Sequence, residues 1–259
     1  MDENLQLLVA SVDRNVITLS GEMNIGSDAI ICNQSNAVEF VSYKHKGYQV
    51  DAYTFAEHGV GLNRNNALLR ASADIVLFAD DDIVYEENYR EMVLAEFKKH
   101  PKADMILFNV TAADGRQTYH IDRFGRVRWY NCGRYPTYSM AVRLEPLQRE
   151  RITFSLLFGG GAKYCNGEDS LFIQECIRKG LRVYKAPVLI GRENGRDSTW
   201  FKGYDDKFFY DRGVLYHAMY GWYAKLMARR FLRKNPEMTE QFTSKKQAYA
   251  LMKKGIRGE

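Results

Sequence analysis

Cysteine is scarce and scattered in this 259-residue chain. The four present, Cys32, Cys132, Cys165 and Cys176, form no C-x-x-C pair, so neither a disulfide framework nor a zinc site is expected, and they read as reduced packing residues. The five histidines, His45, His58, His100, His120 and His217, have no metal-ligand spacing either. No run nears the ~18 apolar residues that span a bilayer. Met1-Asp2-Glu3-Asn4 lacks the basic flank of a secretory signal, so a cytoplasmic protein is the expectation. Also missing are G-x-x-x-x-G-K-[ST] and G-x-G-x-x-G, although Gly59 and Gly61 precede a helical stretch and Gly159-Gly160-Gly161 form a cluster. A P-loop nucleotidase or a dinucleotide-dependent dehydrogenase is therefore not expected. There is no internal repeat and no low-complexity linker.

What is present is a globular composition, 46% apolar and 13% aromatic, enough for one catalytic domain with an appendage. The net charge of +5 is unevenly spread: residues 212–259 hold eleven Lys/Arg against three acids, a local +8, which leaves the remainder at −3. A mildly acidic body with a basic end points to an anionic partner for that end.

Leu5 to Val12 and Asp28 to Cys32 are apolar runs that read as buried parallel strands, with Tyr48 to Thr54 a weaker third. A helix is expected from Gly59 through Ala71, then the strand Ile75 to Ala79. Glu86 to Lys99 carries Tyr89, Val93 and Phe97 at four-residue spacing, with acids early and Lys98-Lys99 late, and Pro101 stops it. Met105 to Val110 reads as a strand, Glu168 to Arg178 as a helix and Leu181 to Ile190 as a further strand. This β-α alternation predicts an α/β fold with a mostly parallel central sheet flanked by helices.

The chemistry is carried by carboxylates. Asp80-Asp81-Asp82 ends an apolar strand, where ligands bind in α/β sheets, and Glu168-Asp169 follows the glycine cluster. Crowded carboxylates repel one another, and the functional reading is a hard divalent cation, Mg2+ or Mn2+, whose shell a substrate's phosphates complete. A solvated acidic turn is the plainer alternative. Between the two motifs, Gly115 to Met140 interleaves Arg116, Arg123, Arg126, Arg128 and Arg134 with Tyr119, Phe124, Trp129, Tyr130, Tyr135 and Tyr138. Such residues can stack on sugars or pair with phosphates, but a hairpin with buried rings and wet arginines is the favoured reading for any one of them.

In order, Gly59-Val60-Gly61-Leu62-Asn63-Arg64-Asn65, Phe78-Ala79-Asp80-Asp81-Asp82 and Gly167-Glu168-Asp169 resemble glycosyltransferase family 2, inverting enzymes with a GT-A fold that use nucleotide-sugar donors. The resemblance covers about residues 5 to 205. Residues 159–172 and Ser198-Thr199-Trp200-Phe201-x-Gly203-Tyr204 look like small members from bacterial surface-polysaccharide clusters. The resemblance implies that Asp80 lies near the ribose or the metal, that Asp82 binds the metal, and that Asp81 sits on the donor side. It implies that Asp169 is the general base with Glu168 in support, and that Arg64 and Asn65 start the nucleotide-side helix, Arg64 pairing with phosphate or bracing Asp80. Asn33-Gln34-Ser35 stands where many relatives have an acidic pair that contacts the base, so Asn33 is the candidate there and the nucleobase stays open. The Q-x-x-R-W signature of processive relatives is absent, and single-sugar transfer is expected.

The chain divides on this reading into a catalytic domain, 1–205, and a basic, aromatic-rich helical extension, 206–259. In the latter Val214, Leu215, Ala218, Met219, Trp222, Leu226, Met227 and Phe231 keep helical spacing with Lys225, Arg229, Arg230 and Arg233 on another side. That pattern suits either the surface of an anionic membrane, where lipid-linked acceptors reside, or a helix packed on the catalytic domain. The expected partners are a nucleotide sugar, a saccharide or lipid-linked acceptor and peripheral membrane, with no nucleic acid. The competing classes are another nucleotide-sugar enzyme, such as a nucleotidyltransferase, and a non-catalytic basic membrane- or nucleic-acid-binding module. The first would want a glycine-rich basic loop where Ser11-Val12-Asp13-Arg14-Asn15 stands; the second leaves Asp80, Asp82 and Asp169 without a task.

Overall fold

The apolar run Leu5–Val12 forms strand β1, and Ile75–Asp80 forms β5 beside it, in a computed structural model that describes residues 3–112, 119–195, 203–240 and 244–259. Both strands are buried on two faces, which is why they read as continuous apolar stretches rather than alternating ones. Side chains nevertheless part by pleat: Leu5, Leu7 and Val9 enter one core, while Leu8 enters the other. The sheet is sandwiched between these two cores.

Strand β2 (Asp28–Gln34) pairs parallel with β1, and β4 (Tyr48–Phe55) pairs parallel with β2. Outside them β3 (Glu39–His45) closes a hairpin onto β4, a strand that sequence reading misses because most of its side chains are solvated. The turn Lys46-Gly47 has positive φ at both positions, 51° and 89°, the backbone that a two-residue hairpin requires. Beyond β5 the sheet turns mixed. After β6 (Ile83–Tyr85), β7 (Met105–Thr111) and β8 (Gly125–Arg126), strand β9 (Met140–Arg143) inserts antiparallel between β5 and β7. β10 (Val183–Glu193) runs parallel to β7 and antiparallel to β6 and β8. Parallel pairing therefore dominates the first half, β4-β2-β1-β5, and antiparallel pairing the second.

Helix α1 (Val16–Glu22) is capped by the Asn15 side chain, which accepts from the Ile17 and Thr18 amides. Helix α2 (Val60–Arg70) packs on β1 and β2, and α3 (Tyr89–Lys99) buries the expected Tyr89, Val93 and Phe97 but starts three residues later than its acidic residues suggest. α4 (Leu144–Glu150) is short; α5 (Glu168–Arg178) has the predicted bounds.

Four more helices follow: α6 (Asp206–Tyr220), α7 (Ala224–Lys234), α8 (Glu237–Glu240) and α9 (Lys245–Arg257). α6 and α9 cross backbone to backbone. A Cβ on Gly213 would overlap the Met252 carbonyl, and one on Gly255 the Tyr210 carbonyl. Phe208, Phe209, Leu215, Ala228, Met252 and Ile256 share one core with Phe154 and Phe172 of the sheet-bearing body. α9 packs on α6, whereas α7 buries only Ala224, Ala228 and Leu232.

Candidate active site

Arg64, one turn into α2, is buried to 5% exposure and joins the two acidic motifs. Its Nη2 donates to Asp80 Oδ1 at 2.7 Å and its Nη1 to Glu168 Oε1 at 2.9 Å, while Phe154 lies under the guanidinium, 5.5 Å from its ring centre. Burial acts to lower the guanidinium's pKa, but Asp80 and Glu168 outweigh it and raise it above the ordinary value. The arginine braces Asp80, one of the two roles open to it. The cation is fixed in place with two of its donors spent on protein carboxylates.

The glycines make this possible. Gly61 lets the segment after Phe154 lie against α2, since a Cβ there would overlap the Ser155 carbonyl. Gly159 has φ of +107°, and a Cβ on it would meet the Glu168 carboxyl carbon at 2.8 Å. The glycine cluster makes room for a protein carboxylate, and the Gly160 carbonyl accepts from the Val60 amide at 2.9 Å. These are close packings, in line with the missing phosphate-loop pattern.

At the end of β5 the charges are less balanced. Asp82 has its carboxyl pushed up to about 7, first by burial and then by the charges of Asp80, Glu193 and Asp81. Asp81 Oδ2 receives a long contact, 3.4 Å, from the Val12 amide. Asp169, next to Glu168, also has its carboxyl pushed above the ordinary range, by burial and by the Glu168 charge; the Ser170 amide, 2.6 Å from its Oδ1, and Arg64 pull the other way. The start of a helix favours a charged carboxylate, and at Asp169 burial outweighs that effect. Gly167, not Asp169, is the N-cap of α5. Among the described residues no three His, Cys, Asp or Glu side chains are arranged to hold a metal by themselves.

The family model described as glycosyl transferase family 2 matches residues 35–154, a stretch that holds Arg64 and Asp80 to Asp82 and stops before Glu168. Over that stretch, just under half of its length, the chain is similar to glycosyltransferase family 2. Among solved structures it is similar to S. aureus TarS residues 1–349 in complex with UDP-GlcNAc, with 13% identity, a TM-score of 0.63, and coverage of 90% of this chain and 73% of that one. It is similar too to the mannosyltransferase PcManGT from Pyrobaculum calidifontis in complex with GDP-Man and Mn2+, with 10% identity, a TM-score of 0.54 and coverage of 100% and 75%. These likenesses show the GT-A fold. No curated protein matches in sequence.

Two of the expected donor-side residues are occupied by nearby backbone. Asn33 is buried to 4%; its Oδ1 accepts from Ser11 Oγ and the Arg14 amide, both at 3.1 Å, and its Nδ2 donates to the Arg14 carbonyl at 3.3 Å. It pins the loop between β1 and α1. Asn65 bonds both the amide and the carbonyl of Phe154, at 2.8 and 2.9 Å. The structure thus gathers Arg64, Asp80, Glu168 and Asp169 around one guanidinium's surroundings and gives Asn33 and Asn65 backbone partners nearby.

Sequence reading missed Glu193. It ends β10 beside Asp82, accepts from Tyr138 Oη at 2.8 Å, and is followed by Asn194, whose amide donates to the Asp82 carbonyl at 2.7 Å. A carboxylate at a strand's C-terminal end was the available signal, the same one that singles out Asp80. In the arginine- and aromatic-rich segment, Tyr119 and Tyr135 are buried and Phe124 stacks between His100 and Tyr184. Trp129 and Tyr130 stay exposed. Arg116, like Ser198 to Phe201, lies outside the described residues.

Proposed function

We propose that the chain is an inverting, metal-dependent, non-processive glycosyltransferase that moves one sugar from a nucleoside-diphosphate donor to a hydroxyl of a saccharide or lipid-linked saccharide acceptor, in bacterial surface-polysaccharide synthesis. The observation that carries this is the Arg64 bridge, which sets the donor-side carboxylate Asp80 and the acceptor-side Glu168-Asp169 pair on opposite sides of one guanidinium.

In this reading Asp169 takes the proton from the acceptor hydroxyl as its oxygen attacks the anomeric carbon. A carboxylate with a raised pKa is the stronger base, which suits the role. Glu168, spent on Arg64, orients the start of α5. Asp82 and Asp80 would hold Mn2+ or Mg2+; their hard oxygens match such ions, and a pair of carboxylates leaves coordination positions for the donor's diphosphate. The ion, when bound, neutralises charge on the departing nucleoside diphosphate. Asp81 stands on the same donor side. Residues 1–205 carry the chemistry, and residues 206–259 support α5 and bring the enzyme to an anionic membrane at the inner face of the cell membrane.

Calorimetric titration of UDP, GDP and their sugar derivatives, with and without Mn2+ or Mg2+, tests the reading. One nucleotide should bind with an affinity that the metal raises, and Asp82→Ala should remove the metal's contribution. Equal wild-type affinity with metal and with chelator would overturn the metal role, and binding of no nucleotide would overturn the donor reading.

A further inference from the structure

Five large apolar side chains stand exposed on two segments that meet at Trp129 and Tyr223. Trp222 is 101% exposed, Leu226 62%, Tyr223 61%, Tyr130 46% and Trp129 43%. They come from two segments far apart in sequence: the loop after β8 and the elbow between α6 and α7. Trp129 joins them, with its ring centre 5.6 Å from Tyr130, 6.0 Å from Tyr223 and 6.3 Å from Tyr220. The elbow owes its shape to Gly221, whose φ of +49° ends α6.

The surroundings are uniformly cationic. Lys225, Arg229, Arg230, Arg233 and Lys234 are exposed on α7, and Arg128 and Arg134 are exposed on the loop. No acid occurs between Arg212 and Pro236. Among the described residues no carboxylate pairs with any of the five α7 cations, whereas Lys207 of α6 pairs with Asp211 at 2.5 Å. Arg134 donates to Tyr135 Oη at 3.2 Å and Arg229 lies over the Tyr249 ring, 5.2 Å from its centre, contacts that leave both charges unneutralised. An aromatic and leucine ridge flanked by such cations matches the interface of an anionic bilayer: rings at the headgroup level, leucine below, guanidinium and ammonium groups against lipid phosphates. A saccharide site of stacked rings would not need Leu226 or seven cations, and the acidic remainder of the chain argues against nucleic acid.

We propose that the Trp129-Tyr130 loop and the 221–234 elbow dock on an anionic lipid bilayer, with Trp222, Tyr223 and Leu226 entering the headgroup region and Lys225, Arg229, Arg230 and Arg233 facing lipid phosphate. The ridge lies at the end of the molecule that holds the acceptor-side pair: a Cβ on Gly133, in the same loop, would sit 3.5 Å from Ser170 Oγ, next to Asp169. Docking there brings the proposed base towards an acceptor carried by the membrane. The inference rests on the lipid-linked-acceptor reading for its purpose, and its test is separate from it. The surface is α7 and the loop; α9 is committed to α6.

The full chain is sedimented with phosphatidylcholine vesicles with and without phosphatidylglycerol, and nucleotide binding is titrated on the same preparation. The expected result is association with the anionic vesicles alone, a blue shift of tryptophan emission, and weakening by salt, which screens exposed charge over about 10 Å near 0.1 M. Trp222→Ser with Leu226→Ser should abolish association, and Arg229→Gln with Arg230→Gln should reduce it by roughly fivefold per charge removed, all with nucleotide affinity unchanged. Lys245→Gln with Lys246→Gln on α9 should change little. Equal association with neutral vesicles, no association, indifference to the ridge variants, or their effect appearing only on soluble oligosaccharide binding would each overturn the proposal. Nucleotide binding without vesicle association sinks the docking surface alone; vesicle association without nucleotide binding sinks the donor reading alone.

Discussion

The two acidic motifs are built from the same kind of side chain and held in opposite ways. Glu168 is locked, facing one guanidinium across 2.9 Å and seated on a glycine that has no room for a side chain. Asp82, at the other motif, faces mainly other carboxylates, Asp80, Glu193 and Asp81, and its own carboxyl is pushed up to about 7 by burial and by them. Rigidity lies at Glu168, beside the proposed base. Mutual repulsion of carboxylates lies around Asp82, where the proposed function puts a charged ligand. Arg64 is shared between the two, so the contrast can be broken from the middle or from either end.

The largest effect is expected from the acceptor end. Asp169→Asn is nearly isosteric and removes the proton acceptor, so transfer should fall by about 10²- to 10⁴-fold while donor affinity is kept. The competing role is structural, through the bond to the Ser170 amide; that would show as a lowered melting temperature with a near-normal rate per folded molecule. Measuring both on one sample separates the two, and a variant that is less stable yet transfers at the wild-type rate would remove Asp169 from the mechanism.

Breaking the middle comes next. Arg64→Met keeps volume but leaves Asp80 and Glu168 without their cation, and a partly buried pair that loses one partner costs about 3 kcal/mol. Chemical denaturation should show that loss, and donor affinity should fall as well, since Asp80 loses its brace. An unchanged midpoint would mean that water replaces the arginine without cost. A smaller effect of the same kind is expected from Gly159→Ala. The positive φ alone costs about 1 kcal/mol, and the new methyl pushes the Glu168 carboxyl away from Arg64. Its signature is a drop in kcat with KM for the donor little changed; equal changes in both would point to the fold rather than to Glu168.

The smallest change is a shift along the pH axis. The proposed base works only when ionised, so activity should fall as pH drops through its raised pKa, placing the acid limb of kcat/KM above the ordinary carboxylate range. Glu168→Gln removes one of the two causes of that rise and should move the limb to lower pH. A limb at the ordinary carboxylate value in the wild type would contradict the environment described for Asp169.

What was legible in the sequence followed from local pattern. β1 and β5 are apolar on both faces and announce themselves, and α5 has its bounds because its apolar residues repeat at helical spacing after Gly167. Asp80, Asp82, Glu168 and Asp169 stood out because charge at a strand end or after a glycine cluster asks for a reason, whereas Arg64 was assigned by its place in the family motif. β3 was hidden because its side chains are mostly wet, so no alternation marks it. Asn33 and Asn65 were assigned by position in a motif, but whether an amide is free depends on which backbone passes within 3 Å, here Arg14 and Phe154, and no local pattern records that. Glu193 reaches the site through the antiparallel pairing of β10 with β6, and Trp129 meets Tyr223 from a segment far away in sequence, neither of which a local pattern records.

The crossing of α6 and α9 has a consequence for how the molecule is made. α6 supports the first turn of α5, where Leu215 lies against Gly167, and α9 in turn covers α6 through Gly213 and Gly255. A chain leaving the ribosome finishes its sheet long before residue 245 appears. The support behind the proposed base is therefore completed only when α9 has been synthesised, and a nascent chain holds a complete sheet with the Tyr210, Gly213 and Val214 side of α6 still without cover.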